Sequence, residues 1–163
     1  MHLAERDRDP SASHAVGGST EEDPALRDAT TVAARAADDE EAAGAARDRF
    51  RIGPVPSIEP DEDVKSHLAN DESVHALRRH AILRAPGGDR ALGYAGTLYL
   101  TSRRLLHLGQ VVLSVTLTEI DESSLAGERL LLSLRGGEGL ALDVDMPRLL
   151  RAEMAAVLQG LRG

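Results

Sequence analysis

The sequence predicts a mainly β fold: a partly open barrel of about seven short strands, capped by one C-terminal α-helix and preceded by a disordered tail. Three observations carry this. Apolar residues recur at period two in successive rows between residues 74 and 144, they recur at helical spacing after residue 147, and large ones are scarce before Phe50.

The scarcity defines the tail. After the initiator, the large apolar residues ahead of Phe50 are Leu3, Val16, Leu26 and Val32, widely scattered among Ala, Asp, Glu and Arg. Ordering each residue costs about 1–2 kcal/mol of backbone entropy, and such isolated side chains cannot offset it. Residues 1–52 are therefore expected to be disordered, with Gly17-Gly18-Ser19-Thr20 as a flexible patch. Alanine favours transient helix over residues 33–49, but no apolar stripe is there to dock it. The alternative for this tail is a segment that folds on contact with a partner.

Residues 53–59, beginning Gly53-Pro54-Val55-Pro56, read as a stiff linker to a domain over 60–163. Pro60 suits the first turn of a short helix, and Asp61, Glu62 and Asp63 suit its positive end. Val64 and Leu68 share a face, and Asn70 suits a stop.

Four rows then alternate. They are Gly96-Leu98-Leu100, Val111-Leu113-Val115-Leu117, Leu130-Leu132-Leu134 and Leu140-Leu142-Val144. Such rows predict sheet with one face buried and the other wetter. Gly136-Gly137-Glu138-Gly139 joins the last two as a tight hairpin connection. Between Val74 and Arg84 the pair Ala76-Leu77 breaks the phase, which a bulge repairs. Arg78 and Arg79 point to opposite faces of a regular strand, which places at least one in an ion pair or at the rim. At the C-terminus Asp145 suits a helix cap and Pro147 a first turn, while Leu150, Met154, Val157, Leu158 and Leu161 form a stripe that must pack on the sheet.

Composition narrows the functions. Residues 1–60 hold 13 acids and 7 bases, and residues 61–163 hold 14 and 12. Neither part has the basic excess that a phosphate backbone requires, and Phe50, Tyr94 and Tyr99 offer no stacking platform, so nucleic acid is not an expected partner. Cysteine is absent, which excludes disulfides, thiolate zinc sites and thiol catalysis. No apolar run reaches the roughly 20 residues of a membrane span, and no secretory h-region opens the chain. A cytoplasmic protein is expected, with peripheral attachment at a membrane surface as the alternative.

The phrase Gly96-Thr97-Leu98-Tyr99-Leu100-Thr101-Ser102-Arg103-Arg104-Leu105-Leu106-His107-Leu108-Gly109 reads as two strands around a polar corner. With Asn70-Asp71-Glu72-Ser73-Val74 before it and Leu117-Thr118-Glu119-Ile120 after it, the phrase resembles the bacterial GRAM and PH-like domain family over roughly residues 60–162. The resemblance implies a partly open seven-stranded barrel with the C-terminal helix plugging one end. It also implies a binding module, for protein segments in some members and phosphoinositides in others. Lipid-binding members carry several bases around the first hairpin loop; here that loop, residues 85–91, has only Arg84 and Arg90 beside it, with Asp89 between.

The anion-binding candidates are thus Arg84, Arg90, Arg103 and Arg104. Arg103 and Arg104 could chelate a phosphate. The stronger reading makes Thr101-Ser102 a turn and leaves an arginine snorkelling along the barrel wall. His67, His75, His80 and His107 lie on separate elements without helical zinc spacing, and no nucleophile elbow or dinucleotide loop occurs. Asp143 and Asp145 share a strand face, but solvated strand residue and helix cap are their simpler roles. No catalytic residue, metal or cofactor is expected. The function this predicts is a non-catalytic protein-interaction or adaptor module, the alternative being weak binding of anionic lipid headgroups or a phospho-ligand.

Overall fold

The computed structural model describes residues 23–84 and 93–162, and these divide into two units between Arg35 and Ala36. Its first element overturns part of the expected tail. Residues 1–22 lie outside the described residues, but Pro24–Ile52 is a 29-residue helix, α1. Asp23 starts it, its carboxylate accepting from Ala25 N at 3.1 Å. Up to Arg35 every residue of the helix is exposed. Beyond that point Asp39, Ala43 and Ala46 are buried. These side chains escape a search for large apolar residues because two are methyl groups and the third is a charge. Alanine has the highest helix propensity, and Asp39 finds acceptor work elsewhere in the fold.

The expected linker is also engaged. Val55 packs against the main core, and Ile58 N donates to Val74 O at 2.8 Å. The short helix α2 (Glu62–Lys65) follows, with Asp61 as its N-cap accepting from Val64 N at 3.1 Å.

Seven strands then form one antiparallel sheet. They are β1 (Val74–Arg84), β2 (Tyr94–Thr101), β3 (Arg104–Gly109), β4 (Leu113–Thr116), β5 (Ile120–Ala126), β6 (Arg129–Leu134) and β7 (Gly139–Asp143). Their order is β4-β3-β2-β1-β7-β6-β5, so β4 and β5 are edges joined by the 3-10 turn Leu117–Glu119. The helix α3 (Pro147–Arg162) closes the chain. The arrangement is an open antiparallel seven-stranded sheet with a C-terminal helix, as the alternating rows and the final stripe predict.

The predicted rows meet at its centre. Leu98, Leu100, Leu105, Leu130, Leu132 and Leu142 are buried with Leu150, Met154 and Val157 of α3. Each contributes on the order of 1.5–3 kcal/mol by leaving water. The other face of β2 and β3 is not wetter, as alternation predicts. Tyr99 and Leu106 are buried there with Val64 and Val74, in a second cluster under α2. The Tyr99 hydroxyl donates to Asp61 at 2.9 Å. Burial and that carboxylate together raise the phenol's pKa.

β1 carries the bulging that its broken phase requires, with register shifts between Val74 and Ala76 and between Arg78 and Ala81. His80, in the second, has φ of 59°. Both arginines beside it are paired. Arg78 meets Glu153 of α3 at 3.0 Å, and Arg79 meets Asp61 at 3.7 Å.

The start of α3 departs from expectation. Its early amides at Arg148 and Leu149 donate to Asp39 of α1, at 2.8 and 2.9 Å. The cap therefore comes from outside the local sequence rather than from Asp145. Met146, with φ of 49°, makes the sharp entry.

Candidate functional site

The two-residue turn Ser102-Arg103 links β2 to β3, and Thr101 organises it. Its hydroxyl oxygen accepts from the amides of Arg103 and Arg104 at 3.1 and 3.0 Å, and the hydroxyl donates to Glu72 at 2.6 Å. Glu72 in turn takes two bonds from Arg104, Nε to Oε2 at 2.9 Å and Nη2 to Oε1 at 3.1 Å. Ala69 N adds a third donor at 3.1 Å. The Glu72 side chain is only 1% exposed. Burial pushes its pKa up, but Arg104, Thr101 and the Ala69 amide outweigh that and hold it at about 2.

Arg104 uses four of its five N–H donors. Beyond Glu72 it donates to His67 O at 2.6 Å and Ser114 Oγ at 3.2 Å. It ties the 67–72 loop to β3 and β4, a structural duty that leaves it little to offer a ligand. Arg103 pairs with Asp71, and both side chains are largely exposed.

Arg84 lies at the opposite end of β1. Val74 pairs with Thr101 at one end of the β1–β2 ladder and Leu83 with Tyr94 at the other. Arg84 Nε donates to Asp143 Oδ2 at 2.9 Å, and Arg129 Nε donates to Oδ1 of the same carboxylate at 2.6 Å. Burial opposes ionisation of Asp143, yet these two guanidiniums hold its pKa below the ordinary value. Arg90 lies outside the described residues. The fold thus brings Arg103 and Arg104 together and sets Arg84 far from them.

An open groove of about 840 Å³ runs beside the β1 bulge. Its charged lining is balanced: Arg78, Arg79 and Arg129 against Glu128, Asp143 and Asp145. Arg78 spans one side, donating from Nε to Asp145 O at 2.8 Å besides holding Glu153. Both non-glycine residues with positive φ among those described, His80 and Met146, flank this arginine in sequence or in contact. Left-handed backbone at such residues is uncommon and costs free energy. Broken alternation marks the bulge in the sequence, but nothing there marks the groove.

No family model matches the sequence, and no curated protein matches it either. Twenty-seven solved chains resemble the fold. One is the Vps36 N-terminal PH domain, with 18% identity over 59% of this chain and 86% of that one, at a TM-score of 0.49. Another is the C-terminal domain of an unknown protein from Leishmania infantum, with 14% identity over 53% and 85%, at a TM-score of 0.43. Among the described residues no helix is long and apolar enough to cross a membrane.

Proposed function

We propose that this chain is a non-catalytic binding module of GRAM type that recognises a segment of another protein in the cytoplasm. The observation that carries this reading is the internal neutralisation of the candidate cations. Arg104 is held by Glu72, Arg103 by Asp71 and Arg84 by Asp143. A headgroup phosphate would have to displace a buried carboxylate at Arg104 and a half-buried one at Arg84, whereas the exposed Arg103–Asp71 pair is the weakest of the three. The charge-balanced groove beside β1 suits a polypeptide with mixed side chains better than a compact anion.

Flotation of the full chain with vesicles of neutral lipid, and with vesicles enriched in phosphatidylserine and phosphoinositide, tests the reading. The protein should stay in the soluble fraction with both at physiological salt. Strong flotation with the acidic vesicles, lost in Arg103→Ala/Arg104→Ala, would establish the anionic-lipid alternative.

A further inference from the structure

A second groove, of about 610 Å³, opens between the last turns of α1 and the outer face of α3. Phe50, Pro54 and Val55 form one wall, and Ala155, Ala156 and Gly160 form the other. A Cβ placed on Gly160 meets nothing within 4 Å, so this wall faces open space. Ile52 and Leu161, each next in sequence to residues that line the groove, are 91% and 47% exposed. Isolated exposed apolar residues are ordinary, whereas an apolar groove with exposed large side chains next to it marks a contact surface.

The charge on this groove is one-sided. In a chain of net charge −8, its only charged lining residues are Arg47 and Arg51. Both have partners, Glu40 at 3.2 Å and Asp48 at 2.5 Å, but all four side chains are at least half exposed. Exposed pairs of this kind are weak and exchange with a competing carboxylate. Arg104 differs, because its acid Glu72 is buried. Small side chains on α3 let another backbone approach closely, and the groove runs between two helices, the geometry in which a third helix packs by ridges and grooves.

We propose that this groove takes an acidic amphipathic helix from a partner protein, its apolar face on Phe50, Val55 and Ala156 and its carboxylates toward Arg47 and Arg51. The inference rests on the protein-binding reading above and adds a place distinct from the groove beside β1, with the chemistry of the partner that fits it. Its complementarity is electrostatic at the rim and apolar at the floor, so affinity should fall with salt without vanishing.

The test uses the full chain and two labelled synthetic peptides of roughly 15–18 residues, long enough for a helix to form on binding. One carries leucine on one helical face and glutamate on the other; its counterpart carries lysine for glutamate. By fluorescence anisotropy the glutamate peptide should bind, and more weakly as salt rises, while the lysine peptide should not. Arg47→Glu/Arg51→Glu should weaken binding by about tenfold or more. Ala155→Trp should abolish it by filling the groove. Both variants change exposed positions, and unchanged melting curves verify that they fold. Equal binding of the two peptides, or binding indifferent to both variants, overturns the proposal. So does a variant-sensitive affinity for phosphatidylserine vesicles without peptide binding, which would assign the groove to a membrane. A concentration-dependent doubling of mass that the variants remove would assign it to a second copy and overturn it too. Vesicle binding insensitive to these variants but lost in Arg103→Ala/Arg104→Ala would instead count against the protein-binding reading itself.

Discussion

Arg104 clasps Glu72 through both Nε and Nη2, so a buried carboxylate from the loop before β1 is locked to the first residue of β3. Glu72 ordinarily titrates near 4.5 and here near 2. Above the ordinary value both folded and unfolded chains are ionised there, and the full stabilisation is present. As pH falls from about 4.5 toward 2 the unfolded chain takes up its proton first, and the stabilisation drains away. A gap of that size is worth on the order of 3 kcal/mol. Glu72→Gln should therefore cost about 3 kcal/mol in urea melts near neutral pH and flatten the loss of stability on acidification. A variant as stable as the parent, with the same acid limb, would contradict this role.

Asp39 makes a second forecast. Replacing an N-cap by alanine costs about 0.5–2 kcal/mol, and Asp39→Ala should fall in that range although it lies outside α3. A chain beginning at Ala36 should melt with the parent, because residues 24–35 bury nothing. A chain beginning at Gly53 should melt lower by about 3–8 °C. Identical melting of all three by calorimetry would show that α1 contributes nothing.

The arginine corner and the leucine row separate by magnitude. Leu98 is 2% exposed, and Leu98→Ala should cost about 2–5 kcal/mol through the cavity it leaves. Arg103→Ala removes an exposed pair with Asp71 and should cost about 1 kcal/mol or less. Chemical denaturation of the two variants side by side checks the order.

Gly96 and Gly109 face each other across the β2–β3 hairpin. A Cβ on Gly96 would lie 2.5 Å from Leu108 O and 2.7 Å from the His107 ring. Gly96→Ala should destabilise by about 1–3 kcal/mol. Adding His107→Ala should not restore the loss, since the carbonyl stays; full rescue in thermal melts would show that the ring alone is the obstacle.

The sheet and α3 were legible because leucines at period two and period 3.6 have few other ways to leave water. Val74 to Arg84 betrayed its bulges through Ala76-Leu77 for the same reason. α1 was not legible, since Ala43 and Ala46 carry no weight in an apolar count and Asp39 reads as solvated. The second buried face was hidden likewise: Tyr99 shares its phase with Thr97 and Thr101, β3 is apolar on both faces at Leu105 and Leu106, and only the tertiary position of α2 covers this side. At the candidate site the arginines could be read but their partners could not. Glu72 and Arg104 are 32 residues apart, and no local pattern announces such a pair. The groove between α1 and α3 has no local signature, because its α1 wall lies in an alanine-rich segment without an apolar stripe.

The carboxylate that starts α3 stands 109 residues upstream of the first amide it serves. During synthesis Asp39 leaves the ribosome long before residues 147–149 exist, and a chain halted short of them holds a capping group with nothing to cap. These contacts join an early helix of the domain to its last, so assembly cannot finish while residues 147–149 are still in the exit tunnel. Contacts of such long sequence separation slow folding. Completion of this domain waits on residues 147–162, and the seven strands have time to pair before the two helices meet.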